Sequence, residues 1–394
     1  MPDDHRPAAP LAPDFAPHHA KVALVRAVPA DDWLTLSWDD GLTWRVYGMF
    51  LRENEVTPGV VSPVTREREV ELDAMPVAAL PAKADITPAG NLAVIWQDGA
   101  ISQFSAAWLR DMAVGLWRPE AHLPDTAPWT TADLPAPPSF DGPAFLNSAD
   151  GLVAPLTALW RYGLARLRGL PTDAGTVQRV AERIGTVRNS NFGFLFSVET
   201  KPDPDSNAYR AVPLDAHTDL ATRELQPGFQ LLHCRENSAT GGESTMVDGF
   251  AVADAIRADD PEAYRALTTL GWVFTNRHRD TDYRWSGPII ETDTTGAPVE
   301  IRNTGFLRFF PDMDEADIPR AYDALRHFTA LCRTPRFQMA TAFAPGDLVI
   351  FDNRRVLHGR AAFDPQSGVR RLEGCYLDRD EVASRLRVLA RGRA

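Results

Sequence analysis

Two stretches of the chain repeat one order of apolar and polar positions. WDDGLTWRVYGMFLRE, beginning at Trp38, and WQDGAISQFSAAWLRD, beginning at Trp96, each run from Trp through Asp-Gly and an alternating segment to aromatic-Leu-Arg and an acidic residue. Asp-Gly between alternating runs signals a hairpin. Residues 21–116 are therefore expected to form one small β-rich domain of two related halves, after an acidic, proline-rich stretch, 1–20, that reads as a loose, disordered tail. From Trp117 to Pro143 prolines recur too often for helix or sheet to run through, and 117–143 reads as a linker.

Residues 144–394 have another texture. Apolar residues at helical spacing predict a helix over ADGLVAPLTALWRYGLARLRG, ending at Gly169, a second over PTDAGTVQRVAERIG and a third over DEADIPRAYDALRHFTALCR. GFQLLHCR, STMVDGF, GWVFTNR, GDLVIFDNRRVLHG and LEGCYLD are short apolar or alternating runs bounded by Gly, Pro, Asp and Asn, which predict the strands of a sandwich or barrel. The expected class is mainly β, with flanking helices.

Composition narrows the function. A net charge of −12 over 394 residues argues against a broad nucleic-acid-binding surface. No apolar run is long enough to span a membrane, and the acidic N-terminus is unlike a signal peptide, so a cytoplasmic location is expected. Cys234, Cys332 and Cys375 have no CxxC spacing, and neither a disulfide framework nor a cysteine zinc knuckle is indicated.

The candidate chemistry lies in PLDAHTDLAT, where His217 and Asp219 stand one residue apart. His-x-Asp alone is a weak signal, and a second copy, His278-Arg279-Asp280, sits in a polar loop, where His278 reads as exposed. Context separates them: His358 follows His217 by 141 residues, after a strand and a turn, and Arg370 comes twelve residues later. Two imidazoles and one carboxylate on one side of an iron(II) ion leave open positions for a keto acid and O2. The far carboxylate of 2-oxoglutarate needs a guanidinium fork, which Arg370 can supply.

With AHTDL, PGFQLLHC, ATGGESTMVDGF, PGDLVIFDNRRVLHGR and RRLEGCYLDRDEVASRLRVL, the chain from about Lys21 to its end resembles the γ-butyrobetaine and trimethyllysine hydroxylase family of iron/2-oxoglutarate dioxygenases, itself similar to the taurine dioxygenase group. The resemblance implies a double-stranded β-helix (jelly-roll) catalytic domain over 144–394 behind a small N-terminal domain, often in a homodimer. It implies that His217, Asp219 and His358 bind Fe(II), that Arg370 binds 2-oxoglutarate, and that Leu232 and Ser244 line the cosubstrate pocket; the role of Arg371 stays open. It also implies a small quaternary-ammonium substrate, held in an aromatic cage matched by Phe192, Phe196, Tyr209 and Tyr376. Asn207 and Asn303, with Arg302 and Arg308 nearby, match places that meet the substrate's acidic end. Relatives often carry zinc in the N-terminal domain on cysteines and a histidine; those ligand positions are not kept here, and no zinc is expected.

γ-Butyrobetaine leads the candidate substrates, followed by 2-(trimethylammonio)ethylphosphonate and trimethyllysine. A non-enzymatic alternative is a jelly-roll binding protein that uses the metal as a ligand anchor, which would not need Arg370 on the strand after His358.

Overall fold

The computed structural model describes residues 10–19, 21–199 and 211–392. It divides into two compact units, Met1–His122 with Ala390–Ala394, and Leu123–Leu389.

In the small unit each sequence repeat becomes a three-stranded antiparallel sheet followed by a helix. The first sheet comprises Leu24–Ala30, Trp33–Trp38 and Thr43–Tyr47, with helix Gly48–Glu53; the second comprises Pro81–Ile86, Leu92–Trp96 and Ile101–Phe104, with helix Ala106–Ala113. The two Asp-Gly turns have the same hydrogen bonds: Gly41 N–H donates to Trp38 and Gly99 N–H to Trp96, each at 3.0 Å. Both glycines have positive φ, +88° and +86°, a conformation that glycine adopts without steric cost. Leu34, Leu36 and Trp38 from one half share a core with Leu92, Val94 and Trp96 from the other. The arginines are exchanged: Arg110 clamps Asp40 of the first turn through two hydrogen bonds, and Arg52 bonds Asp98 of the second at 3.2 Å.

The expected loose tail is fastened over its described part. His18 bonds Asp111 at 2.7 Å through Nδ1 and Asp14 at 2.9 Å through Nε2. Burial disfavours the charged ring, but the hydrogen bonds and charges of the two carboxylates outweigh it and raise the His18 pKa to about 9. The proline-rich stretch is likewise more than a linker. From Leu123 it belongs to the large unit, where the Trp129 indole N–H donates to the Tyr162 carbonyl at 2.7 Å and its backbone N–H to Asp248 at 2.9 Å.

The large unit is mainly β with helices. A large sheet runs in the order Phe196–Glu199, Arg370–Leu377, Phe229–Asn237, Leu348–Asp352, Leu164–Arg168, Ser139–Asp141; a smaller one runs Leu214–His217, Val356–Arg360, Ser244–Asp248, Gln338–Thr341. Their inner faces share one core, in which Leu232, Val349, Phe351 and Leu372 meet Met246, Met339 and Val356. Outside the large sheet pack Leu156, Val177, Val180 and Leu386 from helices; outside the smaller one pack Phe250, Ile256, Leu267 and Phe328. The helix expected to reach Gly169 spans Asp150–Tyr162 and ends at Gly163, whose φ is +71°. LARLR then forms a strand because it pairs with Leu348–Asp352, a long-range partner that helical spacing does not reveal.

A buried ion pair ties these layers. Asp248 caps helix Gly249–Asp259 through the Phe250 N–H and accepts two hydrogen bonds from Arg355, at 3.1 and 2.7 Å. Arg355 also donates to the carbonyls of Arg161 and Ala127.

Candidate metal and cosubstrate site

His217 ends the edge strand of the smaller sheet, and its direct cross-strand partner is His358. Asp219 follows His217 where the strand gives way to a turn, with Leu220 at φ +55°. Asn353 fixes that turn: the Asp219 N–H donates to its Oδ1 at 2.8 Å and its Nδ2 donates to the Asp219 carbonyl at 3.0 Å. Thr218 is held from the other side, its N–H donating to the Asn303 carbonyl at 2.9 Å.

The three side chains offer ligand atoms all within 4.8 Å of one another. Asp219 Oδ1 lies 3.4 Å from His217 Nε2 and 3.8 Å from His358 Nε2. His217 Nδ1 sits 2.8 Å from the Asp215 carbonyl, so as a donor there it leaves Nε2 with a lone pair toward the cluster. Burial, reinforced by His217, lowers the His358 pKa to about 3 and keeps the ring neutral. Burial alone would raise the Asp219 pKa; the two histidines beside it and the Tyr376 hydroxyl, which donates to it, outweigh that and hold the carboxyl below its usual range. Two imidazoles and a carboxylate on one side of a cavity are the donor set suited to a non-haem iron(II) ion, and these three residues would hold it.

The cavity beside them measures about 670 Å³. Leu232 and Ser244, both buried, line it, as do Arg370, Phe192, Phe196 and Tyr376. Phe196 lies 5.0 Å from Tyr376 and 6.0 Å from Phe192 between ring centroids. Gly374 makes room for this wall, since a Cβ there would stand 2.5 Å from the Phe196 ring. Tyr376 also reaches the triad, its hydroxyl donating to Asp219 Oδ2 at 2.8 Å.

Arg370 opens its strand and is buried, which pushes its pKa down from the usual arginine value. Among the described residues, no carboxylate forms an ion pair with it. Arg360, which the sequence reading did not single out, lines the same cavity, and its pKa is lowered to about 10 by burial and by the charge of Arg370. Both guanidinium groups lie over Phe363, at 4.9 and 6.0 Å from its centroid. Arg360 could have been found: two residues after His358 on one strand, it shares that face.

Other candidates fall elsewhere. Asn207 and Tyr209 lie outside the described residues. Asn303 lines a separate cavity with Arg308, and its backbone braces Thr218. Arg302 is committed to the turn after Asp219: it pairs with Glu300 and donates to the carbonyls of Ala221, Arg223 and Glu224. Arg371 pairs with Glu199 and Glu236. His278 is exposed and stands outside the triad, yet it lines the cavity. Gln230 and Phe306 also went unnoticed in the sequence; the Phe306 ring meets His217 edge-on at 5.2 Å, a contact with no periodic signal.

Residues 125–376 match the profile of the taurine catabolism dioxygenase TauD, TfdA family. The chain belongs to the TauD/TfdA dioxygenase family. Among relatives, a γ-butyrobetaine dioxygenase of Pseudomonas sp. is 43% identical over 362 residues, covering 91% of this chain and 94% of that protein. The human γ-butyrobetaine dioxygenase is 31% identical, covering 75% of this chain and 79% of its own length. A trimethyllysine dioxygenase of Meyerozyma guilliermondii is 24% identical, covering 92% and 94%. These TauD/TfdA relatives are named as dioxygenases, and this chain is a dioxygenase by the same membership. No described helix is long and apolar enough to cross a membrane.

Proposed function

We propose that this chain is an iron(II)- and 2-oxoglutarate-dependent hydroxylase of a small trimethylammonium compound, with γ-butyrobetaine the leading substrate. The observation that carries the reading is the convergence on one cavity of the His217, Asp219 and His358 donors, Arg370 and an aromatic wall. The named activity of the 43% identical relative supports the choice of substrate.

Iron held by His217, Asp219 and His358 would, with 2-oxoglutarate, allow O2 to serve as the oxidant: one oxygen atom would go into the substrate C–H bond and the other into the succinate left when the cosubstrate loses carbon dioxide. The protein's own residues bind, orient and exclude water. Arg370 takes the far carboxylate of 2-oxoglutarate, with Leu232 and Ser244 along its length and Arg360 adding positive charge. Phe192, Phe196 and Tyr376 offer ring faces to a cation without hydrogen-bond donors, which only aromatic quadrupoles and excluded water can hold well. Tyr209 and Asn207 remain part of the proposed substrate site.

A phosphonate end is the second reading. Arg277 lines the cavity in addition to Arg360 and Arg370, and a guanidinium group accepts phosphonate as readily as carboxylate. A jelly-roll architecture, a homodimeric state and a cytoplasmic location complete the proposal. Two facing sheets, antiparallel except where Ser139–Asp141 pairs with Leu164–Arg168, support the first, and family resemblance supports the homodimer.

Oxygen uptake and succinate formation with iron(II) and 2-oxoglutarate test this, comparing γ-butyrobetaine, 2-(trimethylammonio)ethylphosphonate and trimethyllysine. Strong stimulation by γ-butyrobetaine is expected. Stimulation by none, with iron and 2-oxoglutarate still bound, sinks the trimethylammonium reading.

A further inference from the structure

The two oxygens of Asp219 face different partners. Oδ1 is turned to His217 Nε2 and His358 Nε2, at 3.4 and 3.8 Å, whereas Oδ2 accepts the Tyr376 hydroxyl at 2.8 Å. Tyr376 has little freedom to do otherwise. Its side chain is 1% exposed, its strand pairs with Phe229–Asn237 with Tyr376 opposite Gln230, and its ring packs on Phe196. The ring that lines the cavity and the hydroxyl that grips the carboxylate thus belong to one rigid side chain.

We infer that Tyr376 is a positioning residue for the metal carboxylate, and that through it occupancy of the aromatic pocket is coupled to metal binding. By engaging Oδ2, the phenol leaves Oδ1 alone to face the imidazoles, so the carboxylate gives one donor atom and the remaining metal positions stay open. A hydrogen bond from outside the ligand set typically alters metal affinity about ten- to a hundredfold. A quaternary ammonium on the ring face draws electron density from it, which strengthens the hydroxyl as a donor to the carboxylate. Coupling between two ligands is reciprocal, so the metal tightens the ammonium ligand by the factor with which the ligand tightens the metal. This second half rests on the trimethylammonium reading; the bond to Asp219 does not.

The test is a Mn(II) titration followed by electron paramagnetic resonance, with 2-oxoglutarate saturating, with and without γ-butyrobetaine. It compares wild type, Tyr376→Phe and Phe196→Leu, each checked by circular dichroism, with γ-butyrobetaine binding measured separately by calorimetry. In wild type, γ-butyrobetaine is expected to tighten Mn(II) at least about fivefold. Tyr376→Phe, which keeps the ring, is expected to weaken Mn(II) about tenfold or more and to abolish the response. Phe196→Leu, which removes a ring packed on Tyr376 but keeps the hydroxyl, should weaken γ-butyrobetaine and should weaken Mn(II) in its absence by a much smaller factor than Tyr376→Phe does.

Wild-type Mn(II) affinity in Tyr376→Phe overturns the positioning role, and so does an equal loss in Phe196→Leu, which marks general damage to the cavity. If γ-butyrobetaine binds but leaves wild-type Mn(II) affinity unmoved, the coupling is overturned. If γ-butyrobetaine does not bind, the substrate reading fails, while the Mn(II) comparison without it still decides the role of Tyr376.

Discussion

His217 and His358 face each other directly across an antiparallel strand pair, with ring centroids 4.2 Å apart. The two histidines therefore rest on sheet hydrogen bonds, with Asp219 in the turn that Asn353 holds, and the arginines proposed for the cosubstrate follow on the same frame. Arg360 lies on the strand of His358, and Arg370 opens a strand of the facing sheet.

Arg370→Met is expected to raise the KM for 2-oxoglutarate by about ten- to a hundredfold, since a hydrogen bond to a charged group contributes about 1.5–3 kcal/mol. Arg360→Met should raise it by a smaller factor, and the effect of either should exceed that on the KM of the quaternary-ammonium substrate. Steady-state kinetics with each substrate varied in turn checks this; an unchanged 2-oxoglutarate KM in Arg360→Met would remove Arg360 from the cosubstrate site.

Gly374→Ala places a methyl group against the Phe196 ring and 3.0 Å from the Leu231 carbonyl. The ring must shift, at a cost of about 1–3 kcal/mol of stability. Calorimetry should show weaker γ-butyrobetaine binding, with 2-oxoglutarate binding little changed.

Asp248→Asn should destabilise the large unit by about 3–5 kcal/mol, because it leaves the buried Arg355 charge unpaired. Urea unfolding of the single variants and of an Asp248→Asn, Arg355→Met double variant measures it, with the double variant recovering part of the loss.

His18 links stability to pH. Its folded-state pKa, about 9, lies above the ordinary 6.5. The stability it contributes is therefore fully present below pH 6.5 and lost as pH rises through 9. His18→Gln should lower the melting temperature at pH 6 and make little difference at pH 10; an equal drop at both would show that the protonated ring is not what fastens the tail.

The cluster of His217, Asp219 and His358 was legible because the proposed chemistry has a spacing: His-x-Asp, then a histidine and an arginine that bracket the return to the other sheet. The repeat was legible for the same reason. What escaped was decided by partners rather than pattern. Arg302 carries a charge that could have met an anion, but the sequence does not reveal that Glu300 and the backbone carbonyls of a turn claim it. Asn303 contributes its backbone to Thr218 and lines another cavity. LARLR has helical spacing, yet the left-handed turn at Gly163 and a long-range strand partner make it extended.

The exchange of arginines in the small unit has a consequence for how that unit can change. Each half secures the other's turn, as the subunits of a two-fold homodimer secure each other's loops, with covalent linkage supplying the effective concentration that a free dimer would need. The unit is a dimer written in one chain. A cut between its halves would leave each with an exposed core face and an unanswered charge, and an altered turn in one half is felt first at the helix of the other.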